Sequence, residues 1–165
     1  MPIVETLVNL LEPWSTTYSE STVLSVGLKY AHLGAMLVGG GLAISADRAV
    51  LRAVVPATSE GRVALADQVG DVHRPVVTAL LVSAVSGAML LAADLEALAV
   101  NKVLWVKFGL LLLLAGNGLL MLRDERALRR DAGGGRAFLA LRARAFTSVG
   151  LWLAITLAGV GLMQG

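Results

Sequence analysis

The chain has 165 residues, of which 56% are hydrophobic and 16% charged, with a formal net charge of +2. A water-soluble domain of this length cannot hide so much apolar surface in one core, so the composition describes an integral membrane protein. Cysteine is absent, which removes disulfides, thiolate metal sites and cysteine nucleophiles.

The N-terminal stretch "MPIVETLVNLLEPWS" carries Glu5 and Glu12 but no Lys or Arg. It lacks the positive region of a cleaved secretory signal and is expected to stay on the mature protein. Ile3, Val4, Leu7, Val8 and Leu11 fall mostly on one helical face, and Pro13-Trp14 ends the pattern. This predicts a short helix lying in the membrane interface, with a disordered tail as the alternative.

Four segments then reach the length of about 20 apolar residues that a hydrocarbon layer of about 30 Å demands. They run over 22–46, 75–93, 102–122 and 145–163. Their backbones must satisfy their own hydrogen bonds in lipid, so they are helices, and the fold is a single all-α domain, a four-transmembrane-helix bundle. "KFGLLLLLAGNGLLML" is apolar on every face, with none of the alternation of a barrel strand. No Asp or Glu falls inside these four boundaries.

The connections set the orientation. Loop one holds Arg48, Arg52, Arg62 and Arg74, and loop three holds Arg123, Arg126, Arg129, Arg130, Arg136, Arg142 and Arg144, whereas nothing before residue 22 is basic. Loops one and three are expected in the cytoplasm of a bacterial cell, with both termini outside the inner membrane. In loop one, Pro56 stops the first helix and Ser59 caps an amphipathic piece leading to Pro75. In loop three, Gly133 to Gly135 form a flexible turn. The basic balance is thus a topology signal; nucleic acid is not an expected partner, and membrane lipid is.

Lys29, His32 and Lys107 lie inside the spans. Counted from the outer helix ends, Lys107 is about 8 Å deep, Lys29 about 10 Å and His32 about 15 Å. The lysines are long enough to snorkel to the headgroups; His32 is not. An imidazole at that depth is a hydrogen-bonded packing residue, a proton carrier or a metal or haem ligand. Met36, Gly39 or Gly40, and Ala43 follow His32 on one face, a strip that admits either a close helix or a flat cofactor. Gly34, Gly116 and Gly118 are further candidates for close backbone approach.

His73 precedes Pro75 at the opposite membrane end of the second span, about 15 Å from His32 along the axis. Two axial ligands of one haem iron sit about 4 Å apart, so a bis-histidine haem is not expected.

"KYAHLGAMLVGGGLAISADR" resembles the first helix of the four-helix bacterial membrane proteins around the HemJ-type protoporphyrinogen oxidases and CopD-type proteins. There a histidine is followed by a glycine pair and then an arginine, matched here by His32, Gly40-Gly41 and Arg48. The stretch from "HRPVVTALLVSAVSG" to "LWVKFGLLLLLAGNGLL" is similar to relatives of that group at Pro75, Ser86-Gly87, Trp105, Lys107 and Asn117. The resemblance implies a haem-associated redox or porphyrin-related role, with His32 as the metal ligand and Lys107 as a second functional residue. One departure is Asn117, where several of these families carry a histidine; it argues against a copper site and an oxidase activity.

Two readings stay open. In the first, the protein binds haem b, His32 is the axial ligand, and Lys29 and Lys107 face its carboxylates. In the second, it is a non-catalytic accessory subunit that packs against other membrane subunits or against its own copies. If no cofactor is bound, His32 is expected to hydrogen-bond Ser86 or Thr156.

Overall fold

The computed structural model describes residues 2–54, 56, 58–130 and 135–162, and the side chains from residue 5 onward within them. The turn at Gly133 and Gly134, the end of the last span at Met163 and the side chains of Ile3 and Val4 lie outside the described residues. The chain forms α1 (Pro2–Glu20), α2 (Thr22–Arg52), α3 (Ser59–Ala93), α4 (Leu95–Ala99), α5 (Lys102–Arg130) and α6 (Gly135–Leu162). The four long helices α2, α3, α5 and α6 have the length and apolarity of membrane spans. They close into a ring in chain order: α2 packs on α3 and α6, and α5 packs on α6 and α3. This is the up-down-up-down four-helix bundle that short connections favour.

Each long helix outruns its expected span. α3 has 35 residues, a length of about 52 Å against about 30 Å of hydrocarbon. Pro75 lies inside α3 instead of opening it. The residue is exposed, so the carbonyl it orphans one turn back need not be buried, and the helix continues. Likewise α1 runs through Pro13 to Glu20 rather than stopping there, and the Thr17 hydroxyl donates to the Pro13 carbonyl at 2.7 Å. The cap of α3 is Thr58, whose hydroxyl accepts from Gly61 N–H at 3.1 Å, and not Ser59.

The arginine-rich connections are mostly helix. α5 continues to Arg130 and α6 starts at Gly135, because the arginines alternate with apolar residues at helical spacing. Leu128, Phe138, Leu141 and Ala145 are fully buried there with Val50 and Ala66, while Arg126, Arg130, Arg136 and Arg142 are exposed. That pattern is an amphipathic helix in water. A second apolar cluster, Leu114, Trp152 and Ile155, lies nearer the other end.

α1 is tied across the bundle end distant from these arginines. Trp14 Nε1 donates to the Met89 carbonyl at 3.0 Å, and Ser15 Oγ donates to the Ala93 carbonyl at 2.7 Å. The second of these bonds also uses a carbonyl left free at the end of α3.

Candidate functional site in the bundle core

His32 sits on α2 about 15 Å from its first residue, facing α3. Its Nδ1 is 2.8 Å from the Ser83 carbonyl oxygen, with Ser86 Oγ at 3.3 Å and Ser83 Oγ at 3.4 Å. A carbonyl only accepts, so Nδ1 carries the hydrogen and Nε2 presents its lone pair. The Ser86 hydroxyl donates to the Val82 carbonyl at 2.6 Å, which leaves its oxygen free to face the imidazole. Glycine at 87 is required: a Cβ there would lie 2.9 Å from His32 Cε1.

Lys107 of α5 reaches the other side of the ring, with Nζ 3.4 Å from Nε2. The ammonium donates to the imidazole lone pair. A Cβ at Gly159 of α6 would be 3.8 Å from the same Nζ, so the fourth helix forms the wall behind it. All four long helices therefore meet at this pair. Among the described residues no carboxylate forms an ion pair with Lys107. Lys107 is half-buried, and a cation drawn out of water without a counter-charge is costly.

Of the sequence-derived candidates, His32 and Lys107 are brought together and Lys29 is not. Lys29 is exposed on α2, with Nζ 6.0 Å from the centre of the Tyr18 ring. His73 lies in the arginine-rich half, its Nδ1 donating to the Val69 carbonyl at 3.3 Å. Thr156 donates to the Trp152 carbonyl at 2.9 Å and takes no part in the site. Ser83 was not singled out, although Ser83, Ser86 and Gly87 stand three and four residues apart on one helix face.

The small-residue strip beyond His32 is occupied by the protein itself. A Cβ at Gly40 would be 3.0 Å from the Trp152 ring, and one at Gly39 would be 3.0 Å from Ala79 Cβ. The flat group over the strip is thus the indole of α6. Gly34, Gly116 and Gly118 do not serve close approach within the bundle, since a Cβ on any of them would meet nothing within 4 Å.

Further along, a layer of polar side chains separates the two apolar clusters. Asp47 on α2 is 2% exposed and is hydrogen-bonded by the Ser148 side chain of α6. Asn117 on α5 donates from Nδ2 to the Arg144 carbonyl at 3.0 Å. On α3, His73 falls at the same register, between Val69 of one cluster and Val76 of the other. Asp47, and Glu125, which is 6% exposed, both fall just past the span boundaries drawn from hydropathy, inside which there is no acid.

Comparison with models of protein families, with curated proteins and with solved structures finds no match.

Proposed function

We propose that the His32–Lys107 pair is the ligand site of a small membrane protein that binds a haem-type tetrapyrrole and serves a redox or porphyrin-related role. The observation that carries this reading is the 2.8 Å bond from Nδ1 to the Ser83 carbonyl. Such a bond fixes the tautomer whose Nε2 is free to ligate and raises its basicity, as outer partners of metal-bound histidines generally do. Lys107 meets the second demand of the ligand: its unpaired ammonium suits a propionate. His32 Nε2 would hold the metal of such a group, and Lys107 Nζ would face one of its carboxylates. Iron would supply the electron-transfer chemistry. Ser83 and Ser86 orient the ring, and Gly87 lets it pack against α3.

The test is the visible spectrum of protein purified from haem-sufficient cells. The parent should show a Soret band, lost in His32→Ala and retained but with weaker haem retention in Lys107→Met. A folded parent protein without a Soret band overturns the haem reading.

A specific observation favours a second reading, an accessory subunit or self-associating bundle. Gly109 and Gly116 lie two turns apart on α5, and a Cβ on either would meet nothing within 4 Å. Glycine inside a helix costs about 1 kcal/mol relative to alanine. Glycines that the bundle itself does not use suit a helix arriving from outside. Gly109→Leu should then lower the mass of the detergent-solubilised assembly; an unchanged mass removes this reading.

The same proposal places the arginine-rich ends in the cytoplasm of a bacterial cell and both termini outside the inner membrane, by the bias of basic residues. A reporter fused between residues 133 and 135 should be active only as a cytoplasmic one.

A further inference from the structure

The polar layer between the two apolar clusters holds a group that neither reading of the His32 site uses. Asp47 is 2% exposed, and its Oδ2 is buried without any hydrogen-bond partner. The side chain receives a hydrogen bond from Ser148. Among the described residues no lysine, arginine or histidine forms an ion pair with it. The cations nearest in the fold are engaged or turned outward. Arg144, one turn before Ser148 on α6, is paired with Asp124 at 3.6 Å. His73 on α3 is bonded to the Val69 carbonyl. Arg48, the next residue on α2, is exposed. On α5, Arg129 is taken by Glu125 and Asp67.

A carboxylate in that position would be a buried charge with one hydrogen bond and one bare oxygen, a costly arrangement for an ion. A carboxylic acid there leaves only a neutral hydroxyl without a partner. A metal ion is a poor alternative, because no group of three or more His, Cys, Asp or Glu side chains among the described residues is placed to hold one. We infer that Asp47 is a proton-binding site: the ligand it takes and releases in the polar layer is a proton. The exchange is a simple association, in which carboxylate and one proton from water give the acid. His32 and Asp47 lie fifteen residues apart on α2, about 22 Å. The inference does not depend on what His32 binds.

Infrared difference spectra of the intact protein in lipid vesicles test this directly. Burial raises the pKa of the Asp47 carboxyl to about 6, so at pH 5 the parent minus Asp47→Asn should show the C=O stretch of a protonated carboxyl, shifting in heavy water, and at pH 8 it should lose it. Ser148→Ala should move that stretch to higher frequency, since the bond to the acid is lost. Asparagine has the shape of the neutral acid, so Asp47→Asn should fold and assemble like the parent. A difference spectrum showing ionised carboxylate bands at pH 5 overturns the inference. So does an Asp47→Asn protein that fails to fold while Asp47→Glu folds, because that pattern requires the charge.

Discussion

The two ends of the bundle are held together by different physics. Around Phe138 the core is that of a soluble protein: Val50, Ala66, Leu128, Phe138, Leu141 and Ala145 are 0% exposed and the arginines stand outside them. Around His32 the large apolar side chains point outward instead. Tyr30, Leu37, Leu112 and Leu157 are 74–78% exposed, as 78%, 77%, 75% and 74% respectively. Helices surrounded by lipid gain nothing by hiding a leucine, so they associate through close backbone approach and polar bonds. Gly39, Gly40 and Gly87 supply the first, and the His32 to Ser83 bond supplies the second. The length of the helices makes both regimes necessary, since their arginine-rich ends project past the hydrocarbon into water.

The sharpest way to break this comparison is to truncate one side chain in each regime. Phe138→Ala should cost about 3–5 kcal/mol, as truncation of a fully buried aromatic does. Leu112→Ala should cost far less, because its side chain exchanges one apolar surrounding for another. Unfolding midpoints in a mixed lipid–detergent system measure both. Equal losses would mean that the exposed leucines are covered by another protein and not by lipid.

A second contrast lies within the lipid-facing regime. Gly40→Leu forces a side chain into the Trp152 ring and should destabilise by about 1–3 kcal/mol or more, the range for overpacking a tight contact. Gly34→Leu, with nothing within 4 Å of a Cβ, should leave the isolated bundle unaffected. Should Gly34→Leu be the more damaging of the two, its face is an interface between proteins.

These contrasts also explain what was legible in the sequence. The four spans were, because a run of about 20 apolar residues has few other uses. The pairing of His32 with Lys107 was, because depth in a bilayer is a coordinate that can be counted along a helix. The helical arginine loops were not: charge density marks where a helix leaves the hydrocarbon, not where it ends. Leu128, Phe138 and Leu141 carried the missing signal, at helical spacing between the arginines. Asp47 was lost for the same reason, one residue beyond a hydropathy boundary at 46. The glycines divided for another reason. Composition shows that a position is small, and only the neighbouring helix decides whether smallness is needed there.

Gly87→Ala sharpens the His32 side of the comparison. Its methyl would stand 2.9 Å from Cε1, so the imidazole must turn away from Ser83 although no titratable group is removed. The expected loss of stability is modest, on the order of one hydrogen bond, about 0.5–1.5 kcal/mol. The chemical effect should be larger: in a haem-loaded parent the Soret band shifts or haem is lost, with the helical content unchanged. A normal spectrum in Gly87→Ala would place the ligand elsewhere than on His32.

The smallest effect is expected at the surface of the arginine-rich half. Arg129 bridges two carboxylates that differ in everything but charge: Asp67, whose side chain is 55% exposed, and Glu125, at 8%. Water already solvates Asp67, so Asp67→Asn should move the unfolding midpoint little, and added salt should erase what difference there is. Glu125 has no such recourse. Its Oε2 is buried without a partner, and Arg129 Nη2 holds Oε1 at 2.9 Å. Removing the arginine strands that carboxylate, and Arg129→Met should therefore be clearly more damaging than Asp67→Asn, with a loss that salt does not restore. The double variant Arg129→Met/Glu125→Gln should recover part of it, because the stranded charge is gone. If Asp67→Asn and Arg129→Met were instead equal and equally screened, this end would be a solvated ion network, and the buried apolar cluster alone would hold it.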